Sequence, residues 1–447
     1  KRMKFRKLGR IALATAASLF IGFGTQSCYY YTEAYIIVTG SQYNQVGSYR
    51  EQNQTGILQA GPHTPLSSGG SNPVRALLLN GGRYVYVLNQ GKPTTNSDGS
   101  ITWSGAAVSL FSIGGDGSLS FQQNYFSTGT GSLRMALATG GNYLYVLDGY
   151  QPGSTPNTTP ASTAVSASTP CYDSASGVYR PAGDITVFSI DPSTGRLFLV
   201  QNTQQQNALG TPLTYFPIGC GAIDFHLLST YLYTAENSDP ANPTSAGQVI
   251  YAYNAGSNGQ LIQVPGGSQP IVGATNISVL GASANGSWLY VLDNGTNSIF
   301  TFTQGGNGLL SAISGGSASN APNTSGMTAL TTDSSSKYLY VTNTQSTSLG
   351  APQSVISAFN ITPSTGVLQL FSVNQVSNGP TFGVGSGPVC IFEDPSHQYI
   401  YTANSGSNNI TGSELFPNAG TLTNLSKGST FGTVGTPTWC LYSSNTN

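Results

Sequence analysis

The sequence predicts an all-β protein that folds as a single seven-bladed β-propeller with four-stranded blades. Three observations lead to this prediction: a six-residue phrase that recurs along the chain, further apolar runs around each copy of the phrase, and fragments of one more unit at the two chain ends. Gly, Ser, Thr and Asn replace the usual Lys and Glu, and aromatic residues make up 10% of the 447 residues. This composition suits strands and turns, so almost no helix is expected.

The recurring phrase alternates large apolar side chains and ends in an acid or an amide. Its copies are YVYVLN at 84, YLYVLD at 143, YLYTAE at 231, WLYVLD at 288, YLYVTN at 338 and YIYTAN at 399. Alternation over such a short run predicts a strand that is buried between packed sheets. The polar residues that end the phrases are expected to form turns: Asn89, Asp148, Glu236, Asp293, Asn343 and Asn404.

Each phrase is interpreted as the second strand of a four-stranded unit. One apolar run lies shortly upstream of it, a third run follows it, and a fourth comes after a Gly-containing turn, as in DGSLSF and TGRLFLV. Repeated four-stranded units are typical of propeller blades. The phrases therefore predict six blades in sequence order.

The two chain ends supply the pieces of a seventh blade. AYIIVTG (34–40), VGSYREQ (46–52) and TGILQA (55–60) would be its second, third and fourth strands, and PTWCLYS (437–443) would be its first. A ring of sheets leaves unpaired edges unless its first and last blades are joined, and open edges invite aggregation. We therefore expect the C-terminal inner strand to pair with the N-terminal strands and close the ring.

The N-terminus is typical of an export signal. A basic segment, KRMKFRKLGR, precedes an apolar run at 11–23 that is shorter than the roughly 20 residues of a membrane-spanning helix. We predict a signal over residues 1–28 and one propeller domain over residues 29–447, exported to the bacterial cell surface, the periplasm or the exterior. Either Cys28 is lipidated, as at a bacterial lipoprotein cleavage site, or the signal is removed by plain cleavage nearby. Membrane contact is expected only through this segment.

The other four cysteines are predicted to form disulfides, which persist in exported proteins. Aligning PTWCLYS with GPVCIFE puts Cys440 and Cys390 at the same blade position, on neighbouring inner strands. We predict a disulfide between these two, and a second one between Cys171 and Cys220. The alternative is four buried free thiols. The close CxxC spacing of zinc and redox sites is absent.

Charge and composition limit the partners. Charged residues make up 7% of the chain and the net charge is −1, which argues against nucleic acid as a partner. Few charges would need to be desolvated if copies packed into a layer or filament. A Ser/Thr/Pro-rich insertion at about 149–183 is either a disordered loop or an arm that orders against a partner. The partners considered are therefore homo-polymer neighbours, a glycan or a peptide.

The repeats resemble a known family. The literal YVTN at 340–343 and the unit ends DPSTGRL and TPSTGVL are similar to those of the seven-bladed lactonase-type propellers and of the YVTN-repeat surface proteins. The resemblance covers the chain from about residue 34 onward. It implies the seven-bladed fold, while the members' activities differ and include lactone hydrolysis and lactone formation.

The expected functional face carries the loops that enter first strands and leave second strands. A lactonase would use Glu236 or Asp148 as a general base for water, with Arg75 and Arg134 orienting a carboxylate or stabilising the oxyanion. In the structural alternative, Glu236 and Asp148 are turn residues that bond local backbone N–H groups, and Arg134 pairs with Asp148 of its own blade.

His226 is the one histidine predicted on an inner strand. It is either a catalytic side chain in the channel beside Asp224 or a packing residue. Phosphate-loop, HExxH and GxSxG motifs are absent from the sequence. No cofactor or metal is expected, apart from weak Ca²⁺ binding at oxygen-rich turns near 96–100 and 236–242.

The first interpretation is therefore an exported binding or structural module without catalysis. One alternative is a hydrolase of a sugar-acid lactone, similar to the phosphogluconolactonase-type propellers. The other alternative is a propeller that binds a glycan or a peptide. Turnover of lactones would favour the first alternative, and saturable binding without turnover would favour the second.

Overall fold

The computed structural model describes residues 31–97, 101–152, 172–173, 178–179, 182–207, 209–236, 248–347, 353–372 and 380–444. Within these ranges the regular elements are all β-strands, and no helix long and apolar enough to cross a membrane is found. The all-β prediction is confirmed. The predicted signal, Cys28 and most of the insertion at 149–183 lie outside the described residues.

Six blades follow one another along the chain, each an antiparallel sheet whose strands run from the axis outward. Blade 1 consists of Pro73–Leu78, Tyr84–Asn89, Ala107–Ile113 and Leu119–Tyr125. Blade 2 consists of Thr130–Leu137, Tyr143–Tyr150, Ala182–Ile190 and Leu197–Leu199. Blade 3 consists of Ala222–Leu228, Tyr231–Glu236, Val249–Ala255 and Leu261–Pro270. Blade 4 consists of Ile277–Ala282, Trp288–Asp293, Ser298–Gln304 and Leu310–Ser319. Blade 5 consists of Thr324–Thr332, Tyr338–Ser346, Gln353–Ile361 and Leu368–Leu370. Blade 6 consists of Pro388–Glu393, Tyr399–Asn404, Asn409–Phe416 and Thr421–Asn424.

Shorter strands complete the sheets. Four of them pair with third strands: Leu66–Ser67, Phe216–Cys220, Thr381–Val384 and Thr430–Gly432. Three two-stranded hairpins project from the blades: Lys92–Thr95 with Ile101–Ser104, Tyr172–Asp173 with Val178–Tyr179, and Asn202–Gln206 with Pro212–Leu213.

The seventh blade joins the two chain ends. The C-terminal strand Pro437–Ser443 is innermost and pairs antiparallel with Thr32–Gly40, which is followed outward by Gln45–Gln52 and Leu58–Ala60. We call this sheet the closure blade. The seven innermost strands then contact one another in an unbroken circle. The closure predicted from the chain ends is confirmed.

The hydrophobic core is divided among the interfaces between blades. Seven clusters of buried apolar side chains are present among the described residues, and each lies between two neighbouring blades. One of them joins blade 6 to the closure blade and another joins the closure blade to blade 1. Burial of apolar surface therefore stabilises the ring at every interface, including the two that the closure blade makes.

The recurring phrase is explained by its contacts with the next blade. Its first aromatic ring lies against a turn glycine with positive φ in the following blade. The same contact occurs at all seven interfaces: Tyr35 with Gly117, Tyr84 with Gly195, Tyr143 with Gly259, Tyr231 with Gly308, Trp288 with Gly366, Tyr338 with Gly420, and Tyr399 with Gly56. The glycine allows both the turn and the close approach of the ring.

Tyrosine hydroxyl groups complete this contact. At four interfaces the fully buried second tyrosine of the phrase donates to the carbonyl of the same glycine, as Tyr86 does to Gly195 at 2.7 Å. The hydroxyl groups of Tyr145 and Tyr290 have no hydrogen-bond partner among the described residues. Tyr401 donates in the same way to Gly56 of the closure blade at 2.8 Å. A phenol suits this place because its ring fills the interface while its O–H satisfies a buried carbonyl.

Replacement of Gly259 with Ala is expected to destabilise the protein by about 3 kcal/mol. An alanine must adopt a φ near +76°, and its Cβ would lie 2.7 Å from the Tyr143 ring. Gly266→Ala is the matched control in the same blade, because Gly266 has a φ of +70° and no atom within 4 Å of an added Cβ. Chemical denaturation should show a loss of about 1 kcal/mol for the control. Equal losses for both variants would contradict the role of the ring contact.

A disulfide joins Cys390 to Cys440, with Cα atoms 5.9 Å apart. The two cysteines are not at equivalent positions, as the sequence alignment supposed: the strand register makes Trp439, not Cys440, equivalent to Cys390. Side chains at equivalent positions of neighbouring blades point the same way around the ring. The offset of one residue turns Cys440 back towards Cys390, since successive side chains of a strand point to opposite faces.

The other cysteine prediction is partly outside the described residues. Cys220 is disulfide-bonded, so the alternative of four free thiols is wrong. Cys171 lies outside the described residues, and its pairing with Cys220 stays a prediction.

Candidate functional site in the central channel

A cavity of about 560 Å³ lies on the axis of the ring. All seven inner strands contribute to its wall, which is largely apolar. Four side chains bring charge or an imidazole to the wall: Arg75, Arg134, Asp224 and His226. They come from blades 1, 2 and 3, so these four groups are concentrated on one side of the channel.

A β-bulge in every inner strand aims these side chains. In blade 2, for example, the register with the second strand shifts between Ser132 and Arg134. Bulges re-aim the residues that follow them and are frequent beside functional sites. The residues that follow the seven bulges form one layer around the axis, which we call the bulge layer: Arg75, Arg134, Asp224, Val279, Ala329, Cys390 and Trp439.

Asp224 holds Arg134 in place across the interface between blades 2 and 3. The Nε–H of Arg134 donates to Oδ1 of Asp224 at 2.6 Å, and the Asp224 carboxylate also accepts the backbone N–H groups of Phe225 and Leu280, each at 2.9 Å. The predicted pairing of Arg134 with Asp148 of its own blade is wrong. The bulge turns Arg134 towards the axis, whereas Asp148 lies inside the blade.

Arg75 is held by an aromatic ring. Its guanidinium carbon lies 3.8 Å from the ring centroid of Trp439, and its Nη1 donates to the Val74 carbonyl. No ion pair of Arg75 is found among the described residues. Burial lowers the pKa of Arg75 well below its ordinary value, Arg134 lowers it further, and Asp224 acts in the opposite direction. Stacking leaves the N–H edges of the guanidinium available to an anion.

The polar side of the cavity therefore carries a surplus of positive charge. Two guanidinium groups face the single carboxylate of Asp224, and that carboxylate already accepts three hydrogen bonds. Arginine forks match planar anions such as carboxylates and phosphates. This arrangement can bind one anionic group.

His226 lies two residues beyond Asp224 on the same inner strand and lines the same cavity. Burial lowers its pKa below 6.5, while Asp224 opposes this shift. The imidazole is therefore neutral at pH 7 and can accept a proton. His397, by contrast, pairs with Glu393 at 3.3 Å in a turn of blade 6, and His63 lies in the connection between the closure blade and blade 1.

Glu236 and Asp148 lie inside the blades and do not line this cavity. Glu236 accepts hydrogen bonds from the Gly219 N–H at 3.3 Å and the Thr234 hydroxyl at 2.9 Å. Asp148 accepts the hydroxyl groups of Ser127 and Ser132. Burial raises the pKa of Asp148 to about 6. Both carboxylates thus fasten the segment that leads into the first strand of their blade.

The other strand-end residues are equally buried: Asn89, Asp293, Asn343 and Asn404. Asp293, for instance, accepts the N–H groups of Thr275 and Thr296 at 3.2 and 3.0 Å. A group of three or more His, Cys, Asp or Glu side chains that could hold a metal is not found in the described ranges. The oxygen-rich turns at 96–100 and 236–242 fall largely outside those ranges, so Ca²⁺ binding there stays a prediction.

Comparison with known proteins supports the fold and the resemblance. Residues 283–441 match the family model described as "Lactonase, 7-bladed beta-propeller". In fold, the chain is a seven-bladed β-propeller, and residues 283–441 are similar to the lactonase-type propellers. A search of curated proteins found no match.

Solved structures of similar shape are distant in sequence. The chain is similar in structure to the periplasmic gluconolactonase of Pseudomonas aeruginosa, with 14% identity, a TM-score of 0.64 and coverage of 92% of this chain and 99% of that one. It is also similar to a candidate 6-phosphogluconolactonase of Bacteroides uniformis, with 15% identity, a TM-score of 0.63 and coverage of 92% and 99%. At these identities the likeness shows the fold alone.

Sequence reasoning missed two parts of the site. Trp439 was read only as part of a closing strand, and Asp224 only as a neighbour of His226. A signal was available in the sequence: both residues stand two places after the first residue of an inner strand, as Arg75 does. The three strand starts read PVR for Arg75, AID for Asp224 and PTW for Trp439. Aligning these starts would have placed Arg75, Asp224 and Trp439 in one layer.

Proposed function

We propose that this lactonase-type propeller hydrolyses the lactone of a sugar acid in its central channel. The observation that carries the proposal is the convergence of Arg75, Arg134 and His226 on one cavity of about 560 Å³. The similarity to a gluconolactonase and a candidate 6-phosphogluconolactonase supports the substrate class. The alternative of the sequence analysis is thus preferred to its first interpretation, a module without catalysis.

The channel side chains supply the chemistry of this reaction. His226 removes a proton from water, whose oxygen attacks the lactone carbonyl carbon. Arg75 and Arg134 stabilise the oxyanion of the tetrahedral intermediate with charged N–H donors. The ring C–O bond then breaks, and the leaving oxygen takes the proton from His226. The product is a hydroxy acid whose carboxylate can stay bound to the arginines until release.

Asp224 acts in this mechanism as a positioning residue. Its hydrogen bonds to two backbone N–H groups fix the carboxylate, and the carboxylate fixes Arg134. The Trp439 ring plays the same part for Arg75. Both guanidinium groups are therefore oriented before substrate arrives, which reduces the cost of ordering them during the reaction.

The first experiment is a lactone assay of the wild-type protein. Acid release from glucono-δ-lactone and its 6-phosphate should exceed spontaneous hydrolysis, which is measured without protein and subtracted. The phosphorylated lactone tests whether the cavity accepts a phosphate group in addition to the uncharged lactone ring. Absence of turnover with every sugar-acid lactone tested would overturn the proposal.

Export and surface location stay proposals that accompany this function. An exported enzyme of this kind would act on lactones outside the cytoplasm. Packing of copies into a layer or filament, and glycan or peptide binding without turnover, likewise stay predictions. Fractionation of native cells with an antibody against the chain would test the location.

The activity is expected to fall as the pH falls. Protonated His226 cannot accept a proton from water, so kcat/KM should decrease through the pKa of His226, which lies below 6.5. Rates corrected for spontaneous hydrolysis between about pH 4.5 and 7.5 would show this limb. A rate that is flat or rises towards acid would contradict the role of His226 as the base.

A further inference from the structure

Two aromatic side chains lie at the junction of blades 1 and 2, on the face of the ring where inner strands begin. Trp103 belongs to the hairpin strand Ile101–Ser104, and Tyr150 ends the second strand of blade 2. Their ring centroids are 6.0 Å apart with 33° between the planes. Both side chains are half-buried, so part of each ring faces solvent.

Both rings rest on a glycine of the inner strand of blade 2. Gly131 has a φ of +65°, and a Cβ on it would lie 2.8 Å from the Tyr150 ring and 3.0 Å from the Trp103 ring. The rings therefore lie as close to the strand backbone as the chain permits. Gly131 precedes Arg134 by three residues, which places the rings about 10 Å from the bulge layer.

The polar groups of the two rings have no hydrogen-bond partner among the described residues. For the part of the chain that the structure describes, neither the indole N–H of Trp103 nor the hydroxyl of Tyr150 forms a hydrogen bond. Half-exposed aromatic faces with free donors at their edges suit a ligand that has apolar C–H faces and peripheral hydroxyl groups. A sugar ring has this chemistry.

We propose that Trp103 and Tyr150 form a subsite for a second sugar ring, so that the preferred substrate is the lactone of a disaccharide acid. The inference rests on the proposed function, because the lactone ring would occupy the channel while the linked sugar lies against the aromatic pair. The separation of about 10 Å along the strand matches two linked rings. Contacts with the non-reacting ring supply binding energy that a monosaccharide lactone lacks.

The test compares cellobiono-δ-lactone with glucono-δ-lactone. Wild type should have the higher kcat/KM for cellobiono-δ-lactone. Trp103→Ala should lower that value about tenfold, equivalent to about 1.4 kcal/mol, and leave glucono-δ-lactone hydrolysis unchanged. Trp103→Phe should restore part of the loss. Tyr43→Ala is the control, since Tyr43 is an exposed aromatic residue of the closure blade. Equal losses with both lactones, or none, would overturn the subsite.

A binding measurement separates the subsite from the proposed function. Cellobionic acid, the ring-opened product, is titrated by calorimetry into wild type and Trp103→Ala. Tighter binding of cellobionic acid than of gluconic acid, lost in Trp103→Ala, supports the subsite even in a protein that turns over no lactone. Equal affinity of wild type and Trp103→Ala for cellobionic acid overturns it, whatever the result of the lactone assay.

Discussion

Replacement of Arg134 with Gln is expected to lower kcat/KM for a sugar-acid lactone roughly 10²- to 10³-fold, the usual effect of removing one oxyanion donor. Arg134 is the guanidinium that Asp224 orients towards the cavity, and Gln lacks both the charge and the fork of donors. Arg134→Lys should recover little activity, because an ammonium group cannot both keep the Asp224 contact and bind the substrate in the same geometry.

His226→Gln should lower the rate by a similar factor and remove the acidic limb of the pH profile. Two variants serve as controls. Glu236→Gln changes a carboxylate that lies inside blade 3, and Arg196→Gln changes an exposed arginine outside the cavity. Both should keep the wild-type rate within about threefold. Thermal unfolding of each variant shows whether the blade has stayed folded. Loss of activity in Glu236→Gln with Arg134→Gln still active would contradict the channel site.

Loss of the Cys390–Cys440 disulfide is expected to reduce the free energy of unfolding by about 4 kcal/mol. The bond closes a segment with a sequence separation of 50 residues, and a cross-link of that span restricts the unfolded chain strongly. It also joins blade 6 to the strand that closes the ring. The variants Cys390→Ala, Cys440→Ala and the double variant should show similar denaturation midpoints, because each of them removes the same bond.

The double-mutant cycle distinguishes the cross-link from packing. If the two side chains contributed only as buried apolar groups, the losses of the single variants would add in the double variant. A lost cross-link gives a double variant about as stable as either single variant. Additive losses, or a loss below about 1 kcal/mol in all three variants, would contradict the proposed role of the bond.

The fold could be predicted from sequence because the same local requirement is repeated. Each blade needs a buried second strand whose aromatic residues contact a turn glycine of the next blade, as Tyr143 contacts Gly259. This requirement leaves a phrase that is visible without an alignment. Closure was predictable for the same reason, since Pro437–Ser443 is a first strand that lacks a second strand after it.

The site was less predictable because it depends on single-residue register. A bulge in each inner strand decides which side chains face the axis, and the sequence does not mark its place. The alignment of Cys440 with Cys390 was wrong by one residue because it matched the two cysteines instead of Pro437 with Pro388. The same bulge turns Arg134 to Asp224 of the next blade instead of Asp148 of its own. Contacts between blades join residues 90 positions apart, which local patterns do not reveal.

Burial also distinguishes structural residues from cavity-lining residues that look equally functional in the sequence. Glu236 and Asp148 stand at strand ends beside the loop-bearing face, yet both are completely buried. Local donors hydrogen-bond to both carboxylates, as the repetition of the position in six blades suggested. His226 occurs once in its position, and an arginine follows the bulge in two of the seven inner strands, at Arg75 and Arg134; all three line the cavity. A side chain that departs from the repeat was the better guide to the site.

The most direct measurement is a crystal structure of the protein soaked with 6-phosphogluconate, a sugar acid that carries two anionic groups. The account predicts electron density in the axial cavity, with one anionic group within hydrogen-bond distance of both Arg75 and Arg134. Density at another place on the ring, or an empty channel at a concentration that saturates binding in solution, would contradict the channel as the functional site.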